Sequence, residues 1–236
     1  MKTVFHSSES RGHANHGWLT SYHTFSFANY QNFDRMNFGV LRVLNDDTVQ
    51  GGMGFGAHPH RDMEIISIPL EGDLEHKDST GTTGVIRKGE IQVMSAGTGV
   101  MHSEYNHNPD KAVKFLQIWV MPRTLGVEPR GEQMRIKEHA IKNDFQQIIS
   151  PHPSENSLWI NQDAWFSWAD FDQGISREYT IKKEGNGVYV FVIDGTVKIG
   201  TQILNSRDGF GIWATDGFVL EATEAAEVLL MDVPME

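Results

Sequence analysis

The sequence predicts an all-β protein of two similar β-sandwich domains in tandem, with few and short helices. Short alternating segments recur about every ten residues and end at Gly- or Asp-containing turns, as in antiparallel sandwiches and barrels. Helical periodicity is nearly absent. A weak internal repeat supports two copies of one fold. Glu71–Asp73 corresponds to Asp194–Thr196 and Arg87–Gly89 to Arg207–Gly209, at offsets of 123 and 120 residues.

The first 36 residues are polar, with scattered aromatic side chains. Residues 11–18 have the composition of a loop, whereas Tyr22–Phe27 alternates and predicts a short strand. Four of the eleven histidines lie here, but none has a partner carboxylate at strand or helix spacing. We therefore interpret them as hydrogen-bonding groups that fix this segment rather than as a second metal site. They are His6, His13, His16 and His23.

From Phe38 onward, strand patterns follow one another closely. The first, Phe38–Leu44, is expected to end at the polar triplet Asn45–Asp47. Further predicted strands are Met63–Leu70, Leu74–Asp78, Val85–Arg87, Ile91–Met94 and Val113–Met121. Residues 122–133 contain Pro and Gly and indicate a connector. We therefore place the first domain at residues 1–133.

A second series of strands begins after the aromatic-rich stretch Trp159–Trp168. The predicted strands are Val188–Ile193, Thr196–Ile199, Phe210–Trp213, Phe218–Glu221 and Val228–Val233. They define a second domain at residues 134–236. Because no histidine follows His152, this domain cannot repeat a histidine metal site.

Composition excludes several classes of protein. The chain of 236 residues has a formal net charge of -11, which disfavours nucleic acid and anionic membranes as partners. It contains no cysteine, which excludes disulfides, thiolate zinc sites and iron–sulfur ligation. It has neither an N-terminal secretory pattern nor a run long enough to span a bilayer. We expect a cytoplasmic monomer.

Two pairs of potential metal ligands stand two residues apart in the first half. Because residues i and i+2 of a strand point to the same face, His58 and His60 can direct two imidazoles at one point. His102 and Glu104 can add a third imidazole and a carboxylate from another strand. Three nitrogen donors and one oxygen donor suit a divalent transition metal and leave coordination positions open. Strand parity also permits Glu64 as the carboxylate ligand, so both alternatives stay open.

The order of these residues resembles the two sequence motifs of the cupin superfamily. The first motif is matched by Gly52, His58, His60 and Glu64, and the second, more loosely, by Gly89, Gly97, Gly99, His102 and Asn106. Within the cupins, the chain is similar to the pirin family in Pro59–Arg61, Glu71–Gly72, Glu75–His76, Asp78–Ser79, Gly97–Gly99 and His102–Glu104. The opening residues resemble the bacterial pirin-like branch with quercetin 2,3-dioxygenase activity, through Arg11–His13, Trp18 and His23–Phe27.

The resemblance implies two tandem cupin domains with one metal ion in the first. Its ligands would be His58, His60, His102 and Glu104, with Glu104 rather than Glu64 as the carboxylate. Glu104 would also be catalytic, taking the proton of a flavonol hydroxyl. The implied enzyme opens the heterocycle of flavonols such as quercetin with O2 and releases carbon monoxide. Fe(II) is the expected metal, and Mn, Ni, Cu and Zn suit the same ligand types.

Side chains near the motifs are candidates for supporting roles. Gln92, Ser103, Asn106 and Gln117 can hydrogen-bond to the ligands, and Phe27, Phe38, Phe55 and Trp119 can form an apolar mouth for an aromatic substrate. For each of these residues, ordinary packing in the core is the favoured interpretation. The alternative function is that of a metal-binding regulatory pirin that docks on a protein partner and has only incidental quercetinase activity. The resemblance fades after Gln133, and Gly131 in the connector replaces an aromatic residue of that branch.

Overall fold

The computed structural model describes residues 1–136 and 141–236, and it confirms the predicted all-β fold. The described residues form twenty-two strands and the short 3-10 helices Ser8–Ser10 and Phe33–Arg35. Within this part of the chain, no helix has the length and apolarity needed to span a bilayer.

Twelve strands precede residue 137. They are β1 Lys2–His6, β2 Gly12–Asn15, β3 Leu19–His23, β4 Leu41–Val49, β5 Gly54–His60, β6 Glu64–Glu71, β7 Asp73–Asp78, β8 Thr83–Arg87, β9 Glu90–Ser95, β10 Val100–Asn106, β11 Val113–Val120 and β12 Arg130–Arg135. Ten follow residue 140. They are β13 Phe145–Ser150, β14 Leu158–Trp159, β15 Trp165–Phe171, β16 Ser176–Thr180, β17 Asn186–Asp194, β18 Thr196–Ile199, β19 Gln202–Asn205, β20 Gly209–Trp213, β21 Gly217–Ala222 and β22 Ala226–Pro234.

Each domain combines a seven-stranded sheet with a four-stranded sheet. In the first domain the large sheet has the order β12-β9-β6-β11-β4-β3-β2, and the small sheet has the order β5-β10-β7-β8. In the second domain the orders are β1-β20-β17-β22-β15-β13-β14 and β16-β21-β18-β19. Apart from one edge, where β2 pairs antiparallel with β3 but β14 pairs parallel with β13, counterpart strands occur in the same positions. This confirms the internal repeat predicted from the turn residues.

The outer strand of each large sheet comes from the segment that leads into the other domain. β1 lies just before the strands of the first domain in sequence but pairs with β20 of the second domain. β12 lies just before the strands of the second domain in sequence and pairs with β9 of the first domain. The expected boundary between residues 133 and 134 falls inside β12. Backbone hydrogen bonds therefore join the two halves of the chain, in addition to side-chain packing.

β4 continues through the polar triplet at which the sequence predicted its end. Asn45 and Asp47 are buried there; His23 Nδ1 lies 2.9 Å from Asn45 Oδ1, and the Ser21 hydroxyl donates to Asp47. This prediction was wrong because runs of Asn and Asp usually mark turns, whereas here they line an interior that is itself partly polar.

Two continuous apolar layers hold the molecule together. The first lies between the two large sheets and joins the domains, with Ile66 and Leu116 on one side and Phe191 and Leu229 on the other. The second fills the interior of the second domain, with Val188, Val190, Val197, Leu204, Leu220 and Leu230 among its members.

The interior of the first domain is divided instead. One apolar cluster contains Leu74 and Phe115, and a separate one contains Ile65 and Met94. Buried polar side chains occupy other positions of this domain, among them Asp47, Ser67, His76, His102, Glu104 and Gln117. The interior of the first domain is therefore partly polar, whereas the interior of the second domain is filled by apolar side chains.

A buried histidine attaches the N-terminal strand. His6 Nδ1 lies 2.8 Å from the Tyr189 hydroxyl, and its ring contacts Phe25 at a centroid distance of 6.0 Å. Burial, with a smaller contribution from Arg35, lowers the pKa of His6 to about 4. His6 and His23 thus fix this segment through hydrogen bonds, as predicted, and among the described residues the groups suited to a metal ion all lie elsewhere.

Replacing His6 should make the protein less sensitive to acid. In the unfolded chain His6 takes up a proton near pH 6.5, whereas in the folded chain its pKa is about 4. The free energy of unfolding of the wild type therefore falls as the pH is lowered from about 6.5 to about 4. At about pH 4.5 the loss due to His6 should be on the order of 2 kcal/mol. Urea unfolding of wild type and His6→Gln at about pH 7.5 and about pH 4.5 measures it. Parallel pH profiles of the two proteins would contradict this prediction.

Candidate metal centre

Three histidines from two paired strands converge inside the first domain. β5 and β10 run antiparallel in the small sheet, with His58 opposite His102 and His60 opposite Val100. Ring centroids lie 4.3 Å apart for His58 and His102, 4.8 Å for His60 and His102, and 4.9 Å for His58 and His60. One ligand nitrogen of each lies within 4.8 Å of the others. The structure thus brings together the three histidines indicated by the sequence spacing.

Glu104 is buried beside His102, beyond a register shift between β10 and β5. The Ser67 hydroxyl donates to its Oε1 at 2.9 Å, and Gln117 Nε2 donates to its Oε2 at 3.1 Å. A carboxylate oxygen of Glu104 lies within 4.8 Å of ring nitrogens of His76 and His102. His102 therefore belongs both to the histidine cluster and to the group that contains Glu104.

Burial keeps two of these imidazoles in the neutral form. It lowers the pKa of His102 to about 3, with further contributions from His58 and His76. It lowers the pKa of His60 to about 4, with contributions from His102 and His58. His58 Nδ1 lies 2.8 Å from the Gly56 carbonyl, so it donates there and leaves Nε2 free. Neutral imidazoles with free lone pairs are in the form that binds metal ions.

The donor set fits a divalent transition metal ion. Both ring nitrogens of His102 are buried without a hydrogen-bond partner, an arrangement that costs free energy unless a ligand satisfies them. Three imidazole nitrogens and one carboxylate oxygen suit iron, manganese, nickel, copper or zinc. The residues that would hold such an ion are His58, His60, His102 and Glu104.

The structure does not bring Glu64 to the histidines. Its Oε2 accepts hydrogen bonds from the Ser95 hydroxyl at 2.8 Å and from the backbone N–H of Asn161, in the second domain, at 3.1 Å. The rule that alternate residues share a face does not extend from His60 to Glu64. The two residues lie on β5 and β6, which belong to different sheets, and the chain turns between them at Asp62, whose φ is +49°. Glu64 therefore connects the two domains.

Aromatic side chains stand beside His60, one of the two partly exposed histidines of the cluster. Trp119 meets the ring of His60 edge-on at a centroid distance of 4.9 Å, and Phe27 lies 5.4 Å from Trp119. An open cleft of about 470 Å³ starts at His60 and is lined further by Pro59, Arg61, Ser79, Gly99, Val100 and Met101. Two larger clefts, of about 710 and 1330 Å³, lie between the domains and do not include the histidines.

The other two aromatic candidates for this mouth lie elsewhere. Phe38 packs on Tyr189 and Trp213 between the domains, and Phe55 packs on Trp18. These contacts agree with the favoured interpretation of Phe38 and Phe55 as packing residues.

Three buried residues near the centre were missed as members of the site. Ser67 donates to Glu104, and His76 with its partner Asp78 lies against His102. The spacing of His76 and Asp78, two residues apart on β7, is the same i, i+2 signal that singled out His58 and His60. Ser67 had no such signal, because its role follows from the pairing of β6 with β11. Among the candidates for supporting roles, Gln117 donates to Glu104, whereas Asn106 donates to the backbone carbonyls of Val49 and Lys111.

A histidine cluster inside the first of two tandem β-sandwiches, followed by a second sandwich with an apolar interior, defines a two-domain cupin protein. The pirin family model matches residues 4–120, and a model described as quercetinase C-terminal cupin domain matches residues 147–233. The chain belongs to the pirin family.

Individual relatives extend over the whole chain. The chain is 42% identical over 229 residues to the protein named quercetin 2,3-dioxygenase of Escherichia coli K12, covering 96% of each. It is 37% identical over 222 residues to a pirin-like protein of Caulobacter vibrioides, covering 94% of this chain and 95% of the relative. The crystal structure of the bacterial pirin YhhW from E. coli in complex with nickel(II) matches all of both chains, with a TM-score of 0.94 and 40% identity. These relatives confirm the family that the motifs predicted.

Proposed function

We propose that this protein is a metal-dependent dioxygenase that opens the heterocycle of flavonols such as quercetin with O2 and releases carbon monoxide. The observation that carries the proposal is the cluster of three histidines and a buried, hydrogen-bonded carboxylate beside an open cleft that starts at His60, with Trp119 against the His60 ring. The name of the E. coli relative, quercetin 2,3-dioxygenase, supports the same reaction.

The ion would be held by His58, His60, His102 and Glu104. We propose Fe(II) as the first candidate because it supports O2 chemistry and suits nitrogen and oxygen ligands. The nickel(II) complex of the E. coli pirin supports a divalent ion at such a site. When bound, the ion supplies positive charge that stabilises the deprotonated substrate and activates O2.

In this reaction Glu104 takes the proton of the flavonol 3-hydroxyl. The hydrogen bonds from Ser67 and Gln117 hold the carboxylate in place and leave lone pairs for that proton. The proton returns to the ring-opened product. Two carbon–carbon bonds of the heterocycle break, the carbon between them leaves as carbon monoxide, and each oxygen atom of O2 ends on one of the two carbons left behind. No external reductant is consumed.

Trp119 and Phe27 would contact the flat rings of the substrate. Aromatic side chains offer large apolar surfaces for such rings. Trp119 lies beside His60 and Phe27 lies beside Trp119, so the two side chains would restrict the access of water to the reacting atoms. The open side of the cleft provides the path from solvent.

The test is reconstitution of metal-free protein with each candidate ion in turn. Loss of flavonol absorbance and release of carbon monoxide should follow with a one-to-one ratio under O2, and neither should occur without metal. Elemental analysis of the protein as purified from cells identifies the native ion. Quercetin loss that does not depend on metal, or metal-loaded protein that never releases carbon monoxide, would overturn the proposal.

The alternative is a regulatory protein that binds a partner near the metal. One observation favours it: Met101 and Tyr105 alternate with the site residues of β10 and are 44% and 40% exposed, so the strand carrying His102 also presents apolar surface outward. Partner binding that requires the ion, in a protein without turnover on any divalent metal, would favour this function.

A further inference from the structure

We propose that His76, anchored by Asp78, is a positioning residue that fixes the ring orientation and the protonated nitrogen of His102 for metal binding. The inference rests on the metal site within the proposed function, but not on the substrate or on O2. It gives a role to a buried pair that lies outside the four proposed ligands.

The pair lies on β7, directly beside the strand that carries two of the proposed ligands. In the register of β7 with β10, Asp78 is opposite His102 and His76 is opposite Glu104. The side chains of His76 and Asp78 are 1% and 0% exposed. The ring centroids of His76 and His102 lie 5.4 Å apart, with 52° between the ring planes. The pair therefore adjoins the ligands inside the domain.

Hydrogen bonds determine which nitrogen of His76 carries the proton. Asp78 Oδ2 lies 2.9 Å from His76 Nε2, while Asp78 Oδ1 accepts from the backbone N–H groups of Thr80 and Thr82 at 2.9 and 3.1 Å. Since Asp78 already accepts two backbone N–H groups, its carboxylate acts as an acceptor toward His76 as well. His76 Nε2 therefore donates, and Nδ1, which is buried with no acceptor to donate to, is the nitrogen that presents a lone pair.

That lone pair is matched by an unsatisfied group on His102. His76 Nδ1 and both ring nitrogens of His102 are buried without hydrogen-bond partners. When one nitrogen of His102 binds a metal ion, the other must carry the proton and needs an acceptor. Glu104 also accepts from Ser67 and Gln117, but its remaining lone pairs are assigned to the ion and the substrate in the proposed function. His76 Nδ1 is thus the acceptor best placed to hold His102 with its free lone pair toward the metal.

The test measures Co(II) binding, without quercetin, by competition with a chelator. His76→Phe keeps a ring of similar size but removes the acceptor, and should lower Co(II) affinity by about 10–100-fold. In Asp78→Asn, the amide can donate an N–H to His76 Nε2, so the ring proton of His76 moves to Nδ1. His76 then has no lone pair to offer His102, and Co(II) binding should weaken by a similar factor. His76→Asn restores an acceptor near the position of Nδ1 and should recover most of the affinity.

A spectroscopic signal separates positioning from a general structural effect. In the Co(II) form of wild type, the imidazole N–H proton of His102 should give a hyperfine-shifted signal that exchanges slowly with water. His76→Phe should abolish that protection and His76→Asn should retain it. His107→Phe is the matched control, because His107, just after β10, has its Nδ1 2.9 Å from Glu75 of β7 in an exposed histidine–carboxylate pair. It should leave both affinity and signal unchanged.

Three results would overturn the inference. The first is unchanged Co(II) affinity in a folded His76→Phe protein. The second is four imidazoles on the ion by X-ray absorption, which would make His76 a ligand, and the third is binding of two Co(II) ions per chain. If His76→Phe does not fold, His76→Asn and Asp78→Asn decide the question by the same readouts. Wild type that binds Co(II) but lacks turnover with every candidate ion would refute the proposed function alone, because no readout here uses turnover.

Discussion

Replacing Glu104 by glutamine is expected to reduce flavonol turnover by about 10²–10⁴-fold, the usual contribution of a general base. The substitution preserves size and can keep hydrogen bonds to Ser67 and Gln117, since an amide both donates and accepts. It removes the negative charge that would bind the ion and the lone pairs that would take the substrate proton. Activity and metal content of the same preparation show which of these two roles is lost.

Glu64→Gln is the matched control for this prediction. Glu64 is also buried in the first domain, and it is the carboxylate that the general cupin motif would use. Because it bonds to Ser95 and Asn161 at the domain junction, its amide variant should retain metal and turnover, and any effect should appear in stability. The opposite result would identify Glu64 as the carboxylate ligand. In that case Glu64→Gln would lose the metal, and Glu104→Gln would keep both metal and activity.

Gly39→Ala is expected to lower the free energy of unfolding by roughly 2–5 kcal/mol, combining left-handed strain with overpacking. Gly39 has a φ of +53°, and an added Cβ would lie 2.0 Å from the carbonyl oxygen of Pro234 and 2.9 Å from the Cα of Met235. Those atoms are backbone at the end of β22 in the second domain, so no side-chain rotation can relieve the clash. Val40 N–H donates to the same Pro234 carbonyl at 2.9 Å, so moving that backbone also disturbs this hydrogen bond between the domains.

Gly52→Ala separates the two causes. Gly52 has a φ of +68°, but an added Cβ would meet nothing within 4 Å. Its alanine variant should therefore show only the backbone strain of about 1–2 kcal/mol. Urea unfolding of wild type and both variants gives the comparison, and equal losses for Gly39→Ala and Gly52→Ala would show that the contact with Pro234 is not costly.

Several strands of the second domain could be predicted from local sequence pattern alone. The predicted strand Thr196–Ile199 coincides with β18, and Val228–Val233 lies within β22. These segments are apolar or alternating and are bounded by turn residues, so neighbours in the chain suffice to define them. The histidine spacing succeeded for the same reason, because the face of a strand repeats every two residues.

Prediction failed where a residue's environment depended on another strand. Arg11–Trp18 has the composition of a loop, yet Gly12–Asn15 forms β2 by pairing with β3. Lys2–His6 had no predicted partner and joins β20, more than 200 residues away. Pairing partners at such distances leave no periodic signal in either segment.

The sequence by itself determined the fold class, the tandem repeat, the family and the three histidines that converge, because periodicity, turn residues and motif spacing are local properties of the chain. Only the tertiary structure decided which carboxylate stands near them. Glu64 and Glu104 are both compatible with strand parity, but parity holds only within one continuous strand. The left-handed turn at Asp62 moves Glu64 into another sheet, while β10 keeps Glu104 beside His102 and the pairing of β7 adds His76.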